Sequence, residues 1–227
     1  MKTAPASSAK LRIARVLIII TGLALWFWTQ ALIGSKSPAT TGSGIGDAVH
    51  IWTAPWNAWL QAHEQANNLL LIASSACIDA LGLFVIGMTI FGKSIRPFLG
   101  LIFIFTLRQL NQSFTSLPNP PGQIWHATGV PTLLVTYGVS NDLFFSGHTA
   151  LAVFGAMELF RAGNKTLRVL ASAIAIFEVC AVLLLRAHYT MDVYAGAVTA
   201  LFIGLLAEKI AVPVDLWLNR VTANHSL

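Results

Sequence analysis

The stretch Leu69-Leu-Leu-Ile-Ala-Ser-Ser-Ala-Cys-Ile-Asp-Ala-Leu-Gly-Leu-Phe-Val-Ile-Gly-Met-Thr-Ile-Phe91 holds 23 residues and one charged side chain, Asp79. A helix of about 20 apolar residues spans the roughly 30 Å hydrocarbon core of a bilayer and bonds every backbone N–H and C=O internally. The stretch therefore reads as a membrane-crossing helix. Five others of similar character surround it, at 13–34, 97–114, 143–160, 167–185 and 190–212. Composition agrees: the 227 residues are 56% hydrophobic and only 10% charged, against roughly 25% charged for a soluble domain. A water-soluble globule is excluded. The expected fold class is all-α, a polytopic membrane protein with a six-transmembrane-helix bundle. Cys77 and Cys180 both lie in apolar stretches, so no disulfide framework is expected.

Fourteen Lys and Arg against nine Asp and Glu leave a net charge of +5. In so greasy a chain that excess reads as loop charge rather than a nucleic-acid footprint, and its distribution orients the bundle. Lys2, Lys10, Arg12, Arg15, Lys93, Arg96, Arg161, Lys165, Arg168, Lys209 and Arg220 fall on one side; Lys36, Arg108 and Arg186 fall on the other. The majority side is cytoplasmic by the positive-inside rule, which places both termini there. The expected organisation is a cytoplasmic N-terminus (1–12), a single membrane domain (13–212) and a cytoplasmic tail (213–227). The first span outruns a signal-peptide core and carries Trp26 and Trp28 near its far end, which marks a retained anchor. Outside the membrane, 47–63 places Trp52, Trp56, Trp59 and Leu60 at helical spacing, an apolar stripe suited to an interfacial helix. Pro118, Pro120, Pro121 and Gly122 make 115–141 an irregular outer loop.

Polar residues without an evident membrane purpose gather at the outer helix ends: Asp142-Leu-Phe-Phe-Ser146-Gly147-His148-Thr149, Arg186-Ala-His188-Tyr-Thr-Met-Asp192, and Arg108-Gln-Leu-Asn111-Gln112-Ser-Phe-Thr115. His188 and Asp192 are four apart and share a face if the last helix starts near Ala187. A carboxylate on one imidazole nitrogen fixes the tautomer and frees the other nitrogen as nucleophile or base. His148, from another helix, supplies a complementary acid. Ser146, Gly147 and the amides that follow them point at an anion, because helix N-termini carry unsatisfied N–H groups and a positive dipole end. Arg108 and Arg186 have the planar donor fork that suits phosphate oxygens; the simpler reading of each is a terminal arginine that snorkels to lipid headgroups.

Ser-Gly-His-Thr at 146–149, followed some forty residues later by Arg-x-His-Tyr-Thr-x-Asp at 186–192, resembles the type-2 phosphatidic acid phosphatase superfamily, and within it the sphingomyelin synthase-like branch. Phe105-Thr-Leu-Arg108, Ser116-Leu-Pro118-Asn-Pro120 and Leu143-Phe-Phe-Ser-Gly-His also look like those of sphingomyelin synthases and plant phosphatidylcholine:diacylglycerol cholinephosphotransferases. The resemblance covers about 93–200. It implies a six-helix enzyme acting through a phosphohistidine, with His188 as nucleophile, Asp192 as its orienting partner, His148 as the acid, and Arg108 and Arg186 on the phosphoryl oxygens. Two departures bear on substrate. The superfamily's first motif survives only as Lys93-Ser-Ile-Arg96-Pro97 on the cytoplasmic side, and the Arg-x-His spacing of the last motif favours transferases over phosphatases.

The expected activity is transfer of a phospho-headgroup from a membrane phospholipid to a lipid alcohol of diacylglycerol or ceramide type, with no cofactor. Water as acceptor would make it a lipid phosphate phosphatase. A non-enzymatic six-helix transporter, using Asp79 and Glu178 as an ion path, is the reading from another class. Those two mid-helix acids need partners: each other through a shared proton, a polar cavity below the site, or Ser74, Ser75 or Thr106, with a structural polar contact the favoured reading. Asp142 reads as the N-cap of the fourth span or as a support to the site. His50, His63 and His126 read as solvated loop residues. A metal bound by His148, His188 and Asp192 ranks below phosphohistidine chemistry, because the neighbouring arginines oppose a cation. Compact loops suit a bacterial inner membrane with the site on its extracytoplasmic face.

Overall fold

A computed structural model describes residues 9–34, 45–138 and 142–224. Among them there is no strand, and eight helices follow in order. The long ones are α1 (Ala9–Gly34), α4 (Glu64–Phe91), α5 (Arg96–Phe114), α6 (Gly147–Ala162), α7 (Lys165–Leu184) and α8 (Thr190–Asn224). Between α1 and α4 lie α2 (Ala48–Trp52) and α3 (Ala54–Ala62), short helices separated at Thr53 where Pro55 opens the second. The six apolar segments thus recur as six helices, with altered ends. α4 starts five residues earlier than 69. α6 starts at 147 rather than 143, because Ser146 caps it by accepting the Thr149 N–H. α8 continues through Pro213 to Asn224, beyond the expected end at 212.

Four helices are long and apolar enough to cross a membrane: α1, α4, α7 and α8. At 1.5 Å per residue, α5 (19 residues) and α6 (16 residues) are only about 28 and 24 Å long. Those two form the middle of the bundle, with α6 packed against α4, α5, α7 and α8. The core is built where they meet, from Leu81, Val85, Phe98, Leu101, Ile104, Leu151 and Phe154, with Ala200 and Ile203 from α8. Large apolar side chains also cover the outside, Leu17, Ile20, Leu83, Ile176, Leu201 and Phe202 among them. Such a coat is unfavourable in water and suits lipid.

Two polar layers mark the ends of the bundle. In one, Arg15 donates to the Thr89 and Gly92 carbonyls, Asp215 accepts from Ser94 Oγ and the Ile95 N–H, and Arg96 forms a two-pronged pair with the fully buried Glu158. The other holds Arg108, Asp142, His148, His188 and Asp192. Ten residues of α6 separate His148 from Glu158, about 15 Å of helix and roughly half a hydrocarbon core.

Lys165 to Leu184 ends in a Schellman turn: the Arg186 N–H donates to Leu183 O and the Ala187 N–H to Val182 O. Glycine is usual at the left-handed position of this motif, yet here it is Arg186, with φ 53°. A non-glycine residue held there costs on the order of 1–3 kcal/mol, which the surroundings must offset. The five residues that follow the helix carry the Arg-x-His-Tyr-Thr motif into α8.

Candidate active site

A cavity of about 300 Å³ opens between the ends of the long helices that carry Arg108, His148 and His188. His148 and Gly147 reach it from the first turn of α6, His188 from the α7–α8 turn, Arg108 from the last turns of α5, and Asp142 from the segment leading to α6. Both histidines are buried, and His148 Nε2 and His188 Nδ1 lack a hydrogen-bond partner. Burial of an unpaired polar nitrogen is costly, so His148 Nε2, on a residue that lines a polar cavity, marks a place where a ligand completes the bonding, while His188 Nδ1 faces Asp192.

His188 precedes α8, which starts at Thr190 rather than near Ala187, so the expected helical i, i+4 pair is not formed in that way. Its Nδ1 lies 3.7 Å from Asp192 Oδ2, beyond hydrogen-bond range. The same carboxylate oxygen accepts the Tyr189 N–H at 2.9 Å, the reach-back of a capping box that starts α8. Asp192 Oδ1 is buried without a partner. The Asp192 carbonyl in turn accepts the Ser146 N–H at 3.0 Å, which ties the starts of α6 and α8 together.

Arg108 is buried and held as a fork, Nε on Phe145 O at 2.8 Å and Nη2 on Asp142 O at 2.9 Å, with the Asp142 carboxylate 2.7 Å from Nη2. Asp142 also accepts from Gln112 and Gln30. It is therefore not the N-cap of α6; Ser146 is, and Asp142 instead joins α1, α5 and the outer loop beside Arg108. Ser146 itself is fully buried and does not line the cavity, whereas Gly147 does. A Cβ at Gly147 would sit 3.1 Å from Arg108 Nε, so glycine lets the guanidinium lie against the start of α6.

Arg186 is placed elsewhere. It does not line the cavity; Nη1 donates to Pro121 O and Nη2 to His50 O. His50, expected in solvent, is buried, and its Nε2 lies 3.0 Å from the His188 carbonyl. His63 and His126 are exposed, as expected. The two mid-helix acids do not pair with each other. Glu178 accepts from Ser74 Oγ at 2.7 Å, and Asp79 accepts the Leu133 and Leu134 N–H groups at 2.8 Å, so the outer loop folds deep along α4.

Several cavity residues escaped the sequence reading: Trp26 and Gln30 on α1, and Asn119, Gln123 and Trp125 in the outer loop. Gln30, an amide in an otherwise apolar span, was the one visible signal. Trp125, whose ring meets His148 edge-on at 5.1 Å, gave none. Among the described residues no group of three or more His, Cys, Asp or Glu side chains is arranged to hold a metal ion.

The family model AtPDCT1/2 matches residues 46–209, from the segment before α2 well into α8. The chain belongs to the AtPDCT1/2 family. The AtPDCT1/2 match takes in every residue of the cavity except those of α1. A curated relative, phosphatidylcholine:diacylglycerol cholinephosphotransferase 1 of Arabidopsis thaliana, is 23% identical over 163 residues, which cover 72% of this chain and 53% of the relative. The chain thus spans about half the length of the curated relative it matches. No solved structure matches it significantly. Because that relative is from a plant, the comparison lends no support to a bacterial inner membrane.

Proposed function

We propose that this chain transfers a phospho-headgroup from a membrane phospholipid to a lipid alcohol, through a phosphohistidine on His188. The observation that carries the reading is one cavity lined by Arg108 and two buried histidines, His148 with an unpaired Nε2, in a chain of the AtPDCT1/2 family whose curated relative is named a cholinephosphotransferase. His188 Nε2 attacks phosphorus in line, forming a P–N bond as the P–O bond to the diacylglycerol oxygen breaks. His148 gives its proton to that oxygen. Arg108 and the amides after Ser146 stabilise charge on the equatorial oxygens. In the second half His148, now neutral, takes the proton of the acceptor hydroxyl, whose oxygen displaces His188 from phosphorus. Asp192, 3.7 Å from His188 Nδ1, closes to hydrogen-bond range as the imidazole gains charge. Arg186 acts on the turn rather than on phosphate.

The proposed topology has all six long helices crossing the membrane and both termini cytoplasmic. The Arg15 and Arg96 layer then marks the inner face and the cavity opens towards the outer one. Since α5 and α6 are shorter than the bilayer, the site lies below the outer headgroup plane. An uncharged lipid alcohol, which sits deep in a membrane, meets it there. Headgroup-labelled phosphatidylcholine incubated with purified protein and diacylglycerol, ceramide or no acceptor, then separated by chromatography, tests the reading. New labelled lipid formed only with a lipid alcohol supports it; free phosphocholine without acceptor makes the enzyme a hydrolase, and no product at all overturns it.

A further inference from the structure

The turn that carries His188 is gripped from outside by a segment the reaction does not use. Asp47 accepts the Thr190 N–H at 2.6 Å and Thr190 Oγ1 at 2.8 Å, while the same carboxylate caps α2 through the Val49 and His50 N–H groups. His50 Nε2 meets the His188 carbonyl at 3.0 Å, and His50 O receives the Arg186 guanidinium. The His50 ring stacks on Tyr189 at 5.6 Å. Three alternate residues of the turn, 186, 188 and 190, are thus pinned by two residues of one strap, across about 140 positions of sequence.

The same turn is also held by the loop after α5 and by the first turn of α8: Ile124 N donates to Leu185 O, Tyr189 OH to Pro118 O, and the Tyr189 N–H to Asp192. Strap and loop together hold the backbone on either side of His188 in sequence, and the left-handed Arg186 contributes its own side chain to that grip. His188 Nδ1 stands just outside hydrogen-bond range of Asp192, so a displacement of half an ångström or so decides whether the pair forms. His188 is placed by the strap as much as by its own helix.

We infer that Asp47 and His50 are positioning residues for His188: the strap sets the distance and angle of the imidazole relative to Asp192 and the cavity. Since a carbonyl can only accept, His50 acts as an Nε2–H donor, and its partner is the backbone of His188 rather than its ring. The inference rests on the transferase reading for its kinetic consequence, but not for its geometry. Both residues lie outside the cavity lining, so their loss acts through His188 and not on lipid binding.

The test compares His50→Ala with His50→Gln, whose side-chain amide keeps a donor to the His188 carbonyl. In lipid nanodiscs, His50→Ala is expected to lower kcat by about 10- to 100-fold, the scale of an ångström-size misplacement, with KM for the phospholipid donor within twofold. His50→Gln restores most of that loss. In protein labelled with 15N-histidine, the His188 ring resonances, assigned by their absence in His188→Ala, move in His50→Ala and return in His50→Gln. Should His50→Ala not fold, Thr190→Val removes the hydroxyl bond to Asp47 and gives the same comparison in milder form. A kcat within threefold of the parent with unmoved resonances overturns the inference, as does His50→Gln no better than His50→Ala. If the parent protein makes no lipid product, the transferase reading fails, while the resonances still decide the positioning role.

Discussion

Gly196 of α8 lies against the cap of α6, and a Cβ there would stand 2.6 Å from the Ser146 carbonyl oxygen and 3.4 Å from Ala150 N. Both are backbone atoms, which cannot swing aside. To move from 2.6 Å to the 3.4 Å where ordinary contact begins, the two helices must part by about 0.8 Å. The parting falls where the Ser146 N–H bonds the Asp192 carbonyl, between the helix starts that carry His148 and Asp192. Catalytic geometry tolerates about 0.5 Å, and an ångström of misplacement costs about 100-fold. Gly196→Ala is therefore expected to lower kcat by about 10- to 100-fold and to cost on the order of 1–3 kcal/mol of stability by overpacking. Gly204→Ala, two turns further along the same contact, meets only Met157 Cε at 2.4 Å and Sδ at 3.2 Å, the end of a flexible side chain. It should leave kcat within twofold. The assay is transfer from labelled phosphatidylcholine to diacylglycerol in nanodiscs, with thermal unfolding run in parallel. A Gly196→Ala protein with parental kcat, or a Gly204→Ala protein equally impaired, would refute the reasoning.

Other expectations follow from single contacts. Arg108→Lys keeps the charge but loses the fork on Phe145 O and Asp142; kcat should fall by about 100-fold or more, measured in the same assay, since removal of one oxyanion donor costs about 10² to 10³. Ser74→Ala takes away the hydroxyl that bonds the fully buried Glu178, and should destabilise the protein by about 1–3 kcal/mol in thermal or denaturant unfolding while leaving the cavity lining intact. Burial works to raise the Asp47 pKa, but the Thr190 N–H and hydroxyl and the His50 N–H outweigh it and hold the carboxyl below its usual range. A pKa depressed by folding gives stability that is complete above the ordinary aspartate value and lost as pH falls through the folded one. Acid unfolding curves should therefore show a fall in stability below that ordinary value that Asp47→Asn lacks.

What could be read from sequence and what could not divides along physical lines. The six long helices are visible as mainly apolar segments, and four of them, α1, α4, α7 and α8, reach the length and hydropathy that a bilayer crossing demands. The convergence of His148, His188 and Arg108 is legible because three polar motifs stand at the ends of apolar segments that the lysine and arginine distribution assigns to one side. The outcomes that needed long-range contacts were hidden. Asp142 and Ser146 are both good N-caps by residue type, and Arg108, 34 positions away from Asp142, decides between them by taking its carboxylate. Arg186 looked like a phosphate ligand by charge and side, yet its left-handed backbone and two distant carbonyls turn the guanidinium outward. His50 carried no local signal because its partner is a backbone carbonyl 138 positions away. Asp79, a charge inside an apolar helix, signals its need for partners, but those partners are amides of an irregular loop, which have no signature of their own.

The most direct measurement is a single-turnover experiment with phosphatidylcholine labelled in its headgroup and no acceptor present, followed by peptide mapping of the protein by mass spectrometry. The account predicts about one phosphocholine per protein on His188, discharged to new lipid when diacylglycerol is added, and none on His188→Ala. Unlabelled His188 in a protein that transfers at full rate, or a His188→Ala protein that still makes product, would contradict it.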